Sequence, residues 1–189
     1  MAAVAKLERT RGEGESELLE MIRTRSMRLG HFKLASGRES DLYLNLKPTM
    51  MDPRGARLCA EAMLARVPAN TDYEGGLEMG AVPALAALSD LAGRPVRTFF
   101  VRKSAKDHGT QELVEGLADG ETLAGKRTLI VDDVATTGGS VLRAVGAARA
   151  AGAVVEDALV IVDRQEGGVE GLAAHGVRLR SVFVGDDFR

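Results

Sequence analysis

Hydrophobic positions along the chain alternate between helical spacing and short continuous runs. Helices are predicted over Glu15–Met27, Asp52–Arg66, Gly80–Leu91, Gly139–Ala151 and Gly168–His175. Strands are predicted over Phe32–Leu34, Leu42–Leu46, Val96–Val101, Thr128–Val131, Val154–Val162 and Val177–Val184. Strands separated by single helices indicate an α/β fold with a mostly parallel central sheet and helices on both faces.

The length of the chain, 189 residues, fits one domain over residues 1–189. Residues 1–13 are polar, and we expect them to be frayed. The stretch 102–120 is polar and rich in glycine. Because so long a loop is unusual in a compact domain, we expect it to be a mobile functional segment.

Charge and composition exclude several classes of function. The 25 basic and 27 acidic residues nearly cancel, so no broad positive field would attract nucleic acid. No window approaches the ~18 apolar residues of a membrane span, and the charged N-terminus is not a signal peptide. The single cysteine, Cys59, lies among apolar residues of a predicted helix and cannot form an internal disulfide. We therefore expect a cytoplasmic protein that binds neither nucleic acid nor membrane.

The segment Leu129–Ser140 carries the most specific chemistry in the sequence. Its buried strand leads to Asp132 and Asp133, at the end of the strand where open α/β sheets place their ligands. A turn of small residues follows, and Gly138 and Gly139 let its backbone approach an anion closely. Free amides and the positive end of the following helix would bind a phosphate there.

The two aspartates suit a different part of the same ligand. Carboxylates repel phosphate but accept hydrogen bonds from sugar hydroxyls, so the segment could hold a ribose 5-phosphate. No lysine follows the glycines, which excludes the nucleotide P-loop, and the adjacent glycines do not fit the dinucleotide fingerprint. The alternative is a plain strand, turn and helix with solvated aspartates.

This segment resembles the signature of the type I phosphoribosyltransferase family. In that family the acid pair holds the ribose hydroxyls of phosphoribosyl pyrophosphate and the turn binds its 5-phosphate. The resemblance thus assigns the sugar substrate to Asp132 and Asp133 and to Ala135, Thr136, Thr137, Gly138, Gly139 and Ser140. It also implies the family fold, with a small N-terminal hood. The segment alone does not select the nucleobase.

Two further segments are similar to the orotate branch of that family. The first is the hairpin Phe32–Asn45, where the resemblance places backbone groups of Tyr43 and Leu44 on the flat base. The second begins at Asp163, and its Arg164 matches the arginine that pairs with the orotate carboxylate. Thr136 is assigned to orotate as well.

A purely structural interpretation of each segment stays open. The hairpin could be an ordinary β-hairpin with no role in binding. Arg164 could form a surface ion pair with Asp163 or Glu166.

A third segment, Phe100–Thr110, is similar to the mobile catalytic loop of the family. Its four cationic side chains are Arg102, Lys103, Lys106 and His108. Cations that close over departing pyrophosphate stabilise its developing charge. The resemblance implies that Lys103 acts within its own subunit and that the other three reach the neighbour's site. It makes Lys106 and His108 catalytic, together with the acid pair. A basic, solvated loop is the alternative.

The resemblance implies transfer of ribose 5-phosphate from phosphoribosyl pyrophosphate to orotate. The products would be orotidine 5'-monophosphate and pyrophosphate, a step of de novo pyrimidine (UMP) biosynthesis. It also implies Mg²⁺, bound mainly through the substrate so that no direct metal ligand is assigned, and a homodimer with shared active sites.

Two departures from the family pattern are Ala35 and Met79, where some members carry pyrophosphate-binding lysines. The rival hypotheses are a phosphoribosyltransferase for a purine or another pyrimidine, and a non-catalytic sensor of phosphoribosyl pyrophosphate.

Overall fold

The computed structural model describes residues 11–33, 39–93, 96–104 and 113–189. Its centre is a six-stranded sheet in the order β5-β4-β3-β6-β7-β8. The strands are β3 (Tyr73–Leu77), β4 (Arg97–Val101), β5 (Val114–Glu115), β6 (Arg127–Ala135), β7 (Val154–Asp163) and β8 (Arg178–Val184). All neighbouring pairs are parallel except β4 and β5. The mostly parallel α/β fold predicted from sequence is confirmed.

Helices cover both faces of this sheet. They are α1 (Glu13–Arg25), α2 (Lys47–Met50), α3 (Pro53–Leu64), α4 (Ala81–Leu91), α5 (Gly139–Ala150) and α6 (Gly168–Ala173). The first four pack on one face, and α5 and α6 pack on the other. Of the helices in the described ranges, none has the length and apolarity needed to cross a bilayer.

Alternation along the central strands builds the two cores. In β6, Leu129 and Val131 face the core on the side of α1 to α4, whereas Ile130 faces the core on the side of α5 and α6. All three side chains are at most 1% exposed. Because neighbouring side chains of a strand point to opposite faces, a run of apolar residues is required where both faces are covered.

A two-stranded antiparallel sheet stands apart from the central one. It consists of β1 (Met27–Lys33) and β2 (Glu39–Leu44), and it corresponds to the predicted hairpin and hood. Both strands differ in extent from the prediction. A buried hydrogen bond of 2.7 Å between the hydroxyls of Ser26 and Thr49 ties α2 to the start of this hood.

The helix start predicted at Asp52 is confirmed. The Asp52 carboxylate accepts hydrogen bonds from the amides of Arg54 and Gly55, at 3.0 and 3.1 Å. In the same helix Cys59 is buried, and desolvation raises the pKa of its thiol to about 12. The thiol therefore stays protonated, as expected of a core residue.

No strand was predicted over residues 73–77, and that omission was wrong. β3 occupies the middle of the sheet. Its centre is Gly75-Gly76, which lacks the β-branched residues typical of strands. Glycine is required there by close packing. A Cβ at Gly75 would lie 2.1 Å from the Phe99 ring, and one at Gly76 would lie 2.2 Å from the Val131 carbonyl oxygen.

Candidate active site

The order of the strands creates a crevice at the carboxyl ends of the central strands of the sheet. From β3 the chain passes through α4 to β4 on one side, and from β6 it passes through α5 to β7 on the other. The segments that follow β3 and β6 therefore diverge, and in open α/β sheets ligands bind outside the carboxyl ends of the strands at such a point.

Asp132 and Asp133 lie at this crevice, but within the strand rather than after it. The prediction ended the strand at Val131, whereas β6 continues to Ala135. Val134 and Ala135 still pair with β7, so the backbone of the acid pair is held by the sheet. Asp132 is 4% exposed and Asp133 is partly buried.

The loop after β3 meets the acid pair at Gly80. A Cβ at this position would lie 2.8 Å from Oδ1 of Asp132 and 2.8 Å from Oδ1 of Asp133. The two carboxylates thus converge on one backbone position, which only glycine can occupy without displacing them.

Burial is the larger cause and the negative charge of Asp133 the next, and together they raise the pKa of Asp132 to about 8. A hydrogen bond from the Asp133 amide and the positive charge of Lys47 act in the opposite direction. In the ligand-free protein Asp132 therefore holds a proton over most of the neutral range.

This raised pKa predicts a pH dependence of stability. The unfolded aspartate loses its proton near pH 4, whereas folded Asp132 keeps it up to about pH 8. Because the folded state binds more protons between these values, the free energy of unfolding should fall as pH rises from about 4 to about 8. Urea denaturation of ligand-free protein across this range measures the slope.

The Asp132→Asn variant should lose most of that decline, since it has no carboxyl to titrate. The exposed Asp119 supplies the matched control, because Asp119→Asn should keep the wild-type slope. An undiminished slope in Asp132→Asn would contradict the assignment.

The predicted phosphate cradle is formed by the turn between β6 and α5. Gly138 has φ of 82°, a left-handed conformation that favours glycine, and it directly precedes α5. The first-turn amides of a helix have no intrahelical acceptor, and in this part of the described chain no side chain caps them. Thr137, Gly139 and Ser140 are exposed on this turn. Backbone donors are therefore available to an anion.

Helix α6 packs against the turn that forms the cradle, a contact that was not predicted from the sequence. A Cβ at Gly168 would lie 3.0 Å from the Thr136 carbonyl oxygen, and one at Gly171 would lie 3.1 Å from that of Thr137. Glycines in α6 thus let its backbone pack directly against the turn.

Arg164 lies beside the same crevice, immediately after β7. Its amide donates to the Ala135 carbonyl at 2.8 Å, and its side chain is 4% exposed. The guanidinium donates to the Leu42 carbonyl of β2 at 2.9 Å and pairs with Glu166 at 2.7 Å. An ion pair with Glu166 is therefore present, but it is buried and not the surface pair of the alternative interpretation. The same side chain also joins the hood to the sheet.

The other hood residues predicted to contact the base lie next to that link. Tyr43 is 39% exposed, and its ring lies 5.4 Å from that of Phe32. Leu44 is partly buried and packs against the core. The structure therefore brings the hairpin, Arg164 and the cradle together at the carboxyl ends of the strands.

The root of the predicted catalytic loop is fixed next to the crevice. The Lys103 amide donates to the Glu78 carboxylate at 2.8 Å, and its carbonyl accepts from Arg143 of α5 at 2.7 Å. Arg102 pairs with Glu115 of its own chain at 3.1 Å. Glu78 and Arg143 were missed because only the fold brings them to this loop. Lys106, His108 and Ala35 lie outside the described residues.

Lys47 is a further residue that the sequence analysis missed. It begins α2, and its Nζ lies 3.9 Å from Oδ2 of Asp133. The available signal was its position three residues after the predicted base-binding pair Tyr43 and Leu44.

Asp132 and Asp133 offer carboxylate oxygens, the type of ligand that Mg²⁺ prefers. Elsewhere in the described ranges, as here, no group of three or more His, Cys, Asp or Glu side chains is arranged to hold a metal ion.

The acid pair and the glycine turn lie at the switch point of a mostly parallel sheet, and residues 69–174 match the phosphoribosyl transferase domain family, which makes the chain a phosphoribosyltransferase by family. An orotate phosphoribosyltransferase of Rhodopseudomonas palustris (strain TIE-1) is 50% identical, with 95% of this chain and 98% of the relative covered.

Two crystal structures of Mycobacterium tuberculosis orotate phosphoribosyltransferase are similar. The Fe(III) dicitrate complex gives a TM-score of 0.80 at 38% identity, covering 93% of this chain and 98% of that one. The complex with phosphoribosyl pyrophosphate gives 0.77 at 34% identity, with the same coverage of both chains. The chain therefore belongs to the orotate phosphoribosyltransferases of the type I phosphoribosyltransferase family.

Proposed function

We propose that this chain transfers ribose 5-phosphate from phosphoribosyl pyrophosphate to orotate, with release of pyrophosphate. The observation that carries the proposal is the convergence of the acid pair, the glycine cradle and Arg164 on one crevice. The family relationship supports it, since a similar structure contains phosphoribosyl pyrophosphate. The free, buried thiol of Cys59 is compatible with a reducing cytoplasm, where we expect the enzyme to act.

Each end of the sugar substrate has a matching group on the protein. The amides at the start of α5 bind the 5-phosphate, and Asp132 and Asp133 accept hydrogen bonds from the ribose hydroxyls. The planar guanidinium of Arg164, which also contacts the Leu42 carbonyl and Glu166, pairs with the orotate carboxylate. The base is thereby held against the hood.

The reaction is a near-dissociative displacement at the anomeric carbon. The bond to pyrophosphate breaks as the ribose gains oxocarbenium character, and a ring nitrogen of deprotonated orotate attacks from the opposite face. No covalent enzyme intermediate is required. The protein positions the reactants and stabilises charge, with Lys103, Lys106, Arg102 and His108 over the departing pyrophosphate.

Mg²⁺ fits the oxygen donors of this site and would be held by the substrate oxygens next to Asp132 and Asp133. When bound, it supplies positive charge that neutralises pyrophosphate.

The decisive assay follows the loss of orotate ultraviolet absorbance after enzyme, Mg²⁺ and phosphoribosyl pyrophosphate are mixed. Orotate should be consumed, whereas adenine, hypoxanthine and uracil in parallel reactions should not. Consumption of another base instead of orotate would overturn the base assignment. No consumption of any base, with phosphoribosyl pyrophosphate still bound, would favour a sensor.

We also propose that two copies of the chain form a homodimer with shared active sites. An apolar groove of about 700 Å³ runs between α3 and α4 and is bounded by the exposed Met51 and Met79. These side chains are 72% and 58% exposed, which is unusual for large apolar residues. Met79 adjoins Gly80, which contacts the acid pair, so a partner seated in the groove would border the active site.

Replacing Met51 with glutamate should dissociate this dimer, because it buries a charge in an apolar contact. Sedimentation velocity should give twice the chain mass for wild type and the single chain mass for Met51→Glu. Val154, 43% exposed at the opposite edge of the sheet, provides the control Val154→Glu, which should stay dimeric. A monomeric wild-type enzyme with full activity would refute the shared site.

A further inference from the structure

Lys47 places a cation directly beside the acid pair. Its Nζ lies 3.9 Å from Oδ2 of Asp133, and its side chain is 53% exposed whereas that of Asp133 is 15% exposed. At this separation the contact is an ion pair without a hydrogen bond, so it does not use an N–H donor of the ammonium group. A ligand in the crevice can therefore accept those donors.

The backbone of Lys47 is held firmly even though its side chain reaches solvent. Its amide donates to the Asn45 side chain at 3.3 Å. The same short helix α2 is anchored by the buried hydrogen bond between Thr49 and Ser26. The lysine thus projects from a fixed point between the hood and the crevice.

A cation at this place would offset the repulsion between the negative charge of the acid pair and pyrophosphate. Positions 35 and 79 carry alanine and methionine, and neither supplies positive charge. In the described ranges Arg102 pairs with Glu115 and Arg143 donates to the Lys103 carbonyl, whereas Lys47 lies beside the acid pair itself.

We infer that Lys47 binds the pyrophosphate group of phosphoribosyl pyrophosphate and so replaces the lysines that this chain lacks at positions 35 and 79. The inference rests on the proposed function and adds a specific substrate contact to it. The competing role is a purely positioning one, in which Lys47 only orients Asp133 toward the ribose hydroxyls.

Binding measurements separate the two roles, because pyrophosphate lacks the ribose and ribose 5-phosphate lacks the pyrophosphate. Titration calorimetry with Mg²⁺-pyrophosphate, phosphoribosyl pyrophosphate and ribose 5-phosphate would compare wild type with Lys47→Met. We expect the first two ligands to bind about tenfold more weakly to the variant, the cost of one charged hydrogen bond. Ribose 5-phosphate should bind as in wild type, which also shows that the variant is folded.

Two further variants complete the test. Lys47→Arg keeps the charge and should restore most of the pyrophosphate affinity. Lys126→Met removes an exposed lysine just before β6, at the amino ends of the strands and away from the crevice. It should leave the affinity for all three ligands unchanged. Unchanged pyrophosphate affinity in Lys47→Met, or an equal loss for ribose 5-phosphate, would overturn the inference.

The wild-type assay with orotate is independent of this comparison. If Lys47→Met loses pyrophosphate affinity but the wild-type protein does not consume orotate, the proposed function is refuted and the inference about Lys47 stands.

Discussion

The Lys106→Ala enzyme should turn over roughly 10²–10³-fold more slowly than wild type, by analogy with the loss of one preorganised donor at a developing anion. Pyrophosphate gains most of its charge as the bond to the anomeric carbon breaks, so the loss should appear mainly in kcat. In the described part of the loop, Glu78 and Arg143 hold Lys103 beside the crevice.

Steady-state kinetics with both substrates measure this effect. Lys126→Ala is the matched control, since it removes an exposed lysine far from the crevice and should keep wild-type kcat. Near-normal turnover of Lys106→Ala would show that the loop has no catalytic role.

Arg164→Ala should raise the KM for orotate by about 10²-fold, while the KM for phosphoribosyl pyrophosphate changes little. Truncating one partner of a buried, hydrogen-bonded charge pair costs about 2–5 kcal/mol, which spans this range. Arg164 is 4% exposed, so water cannot readily replace it as the partner of the orotate carboxylate.

Since Arg164 also donates to the Leu42 carbonyl, the variant should be less stable as well, and the two KM values separate these effects. General loosening of the hood would disturb both substrates, so an equal rise in both KM values would refute the assignment. Arg180→Ala is the control: it removes an arginine–carboxylate contact of 3.0 Å with Asp157 and should leave both values unchanged.

The sequence predicted the parts of this molecule that depend on local pattern. The Asp52 cap, the buried Cys59 and the strand–turn–helix around Gly138 all follow from neighbouring residues, and the structure confirms them. The alternation of strands and helices likewise predicted a mostly parallel sheet.

The parts that were missed depend on long-range packing. Gly75 and Gly76 lie in a central strand where Phe99 and Val131 leave no room for a Cβ. Local strand propensity does not reveal this packing. Lys47 reaches Asp133 across 86 positions of sequence because the fold brings α2 to the end of β6. Arg143 likewise reaches the Lys103 carbonyl only because the fold brings α5 next to the loop.

Helix α5 touches the substrate machinery at two places one turn apart. Its first residues form the proposed phosphate cradle, and Arg143 holds the root of the proposed catalytic loop. Since a helix is stiff over this length, it fixes the distance between the proposed 5-phosphate site and the residue that contacts the Lys103 backbone. If the proposed assignment holds, the pentose ring must match that distance, and a shorter sugar anchored by its phosphate should place its reactive carbon too far from Lys103.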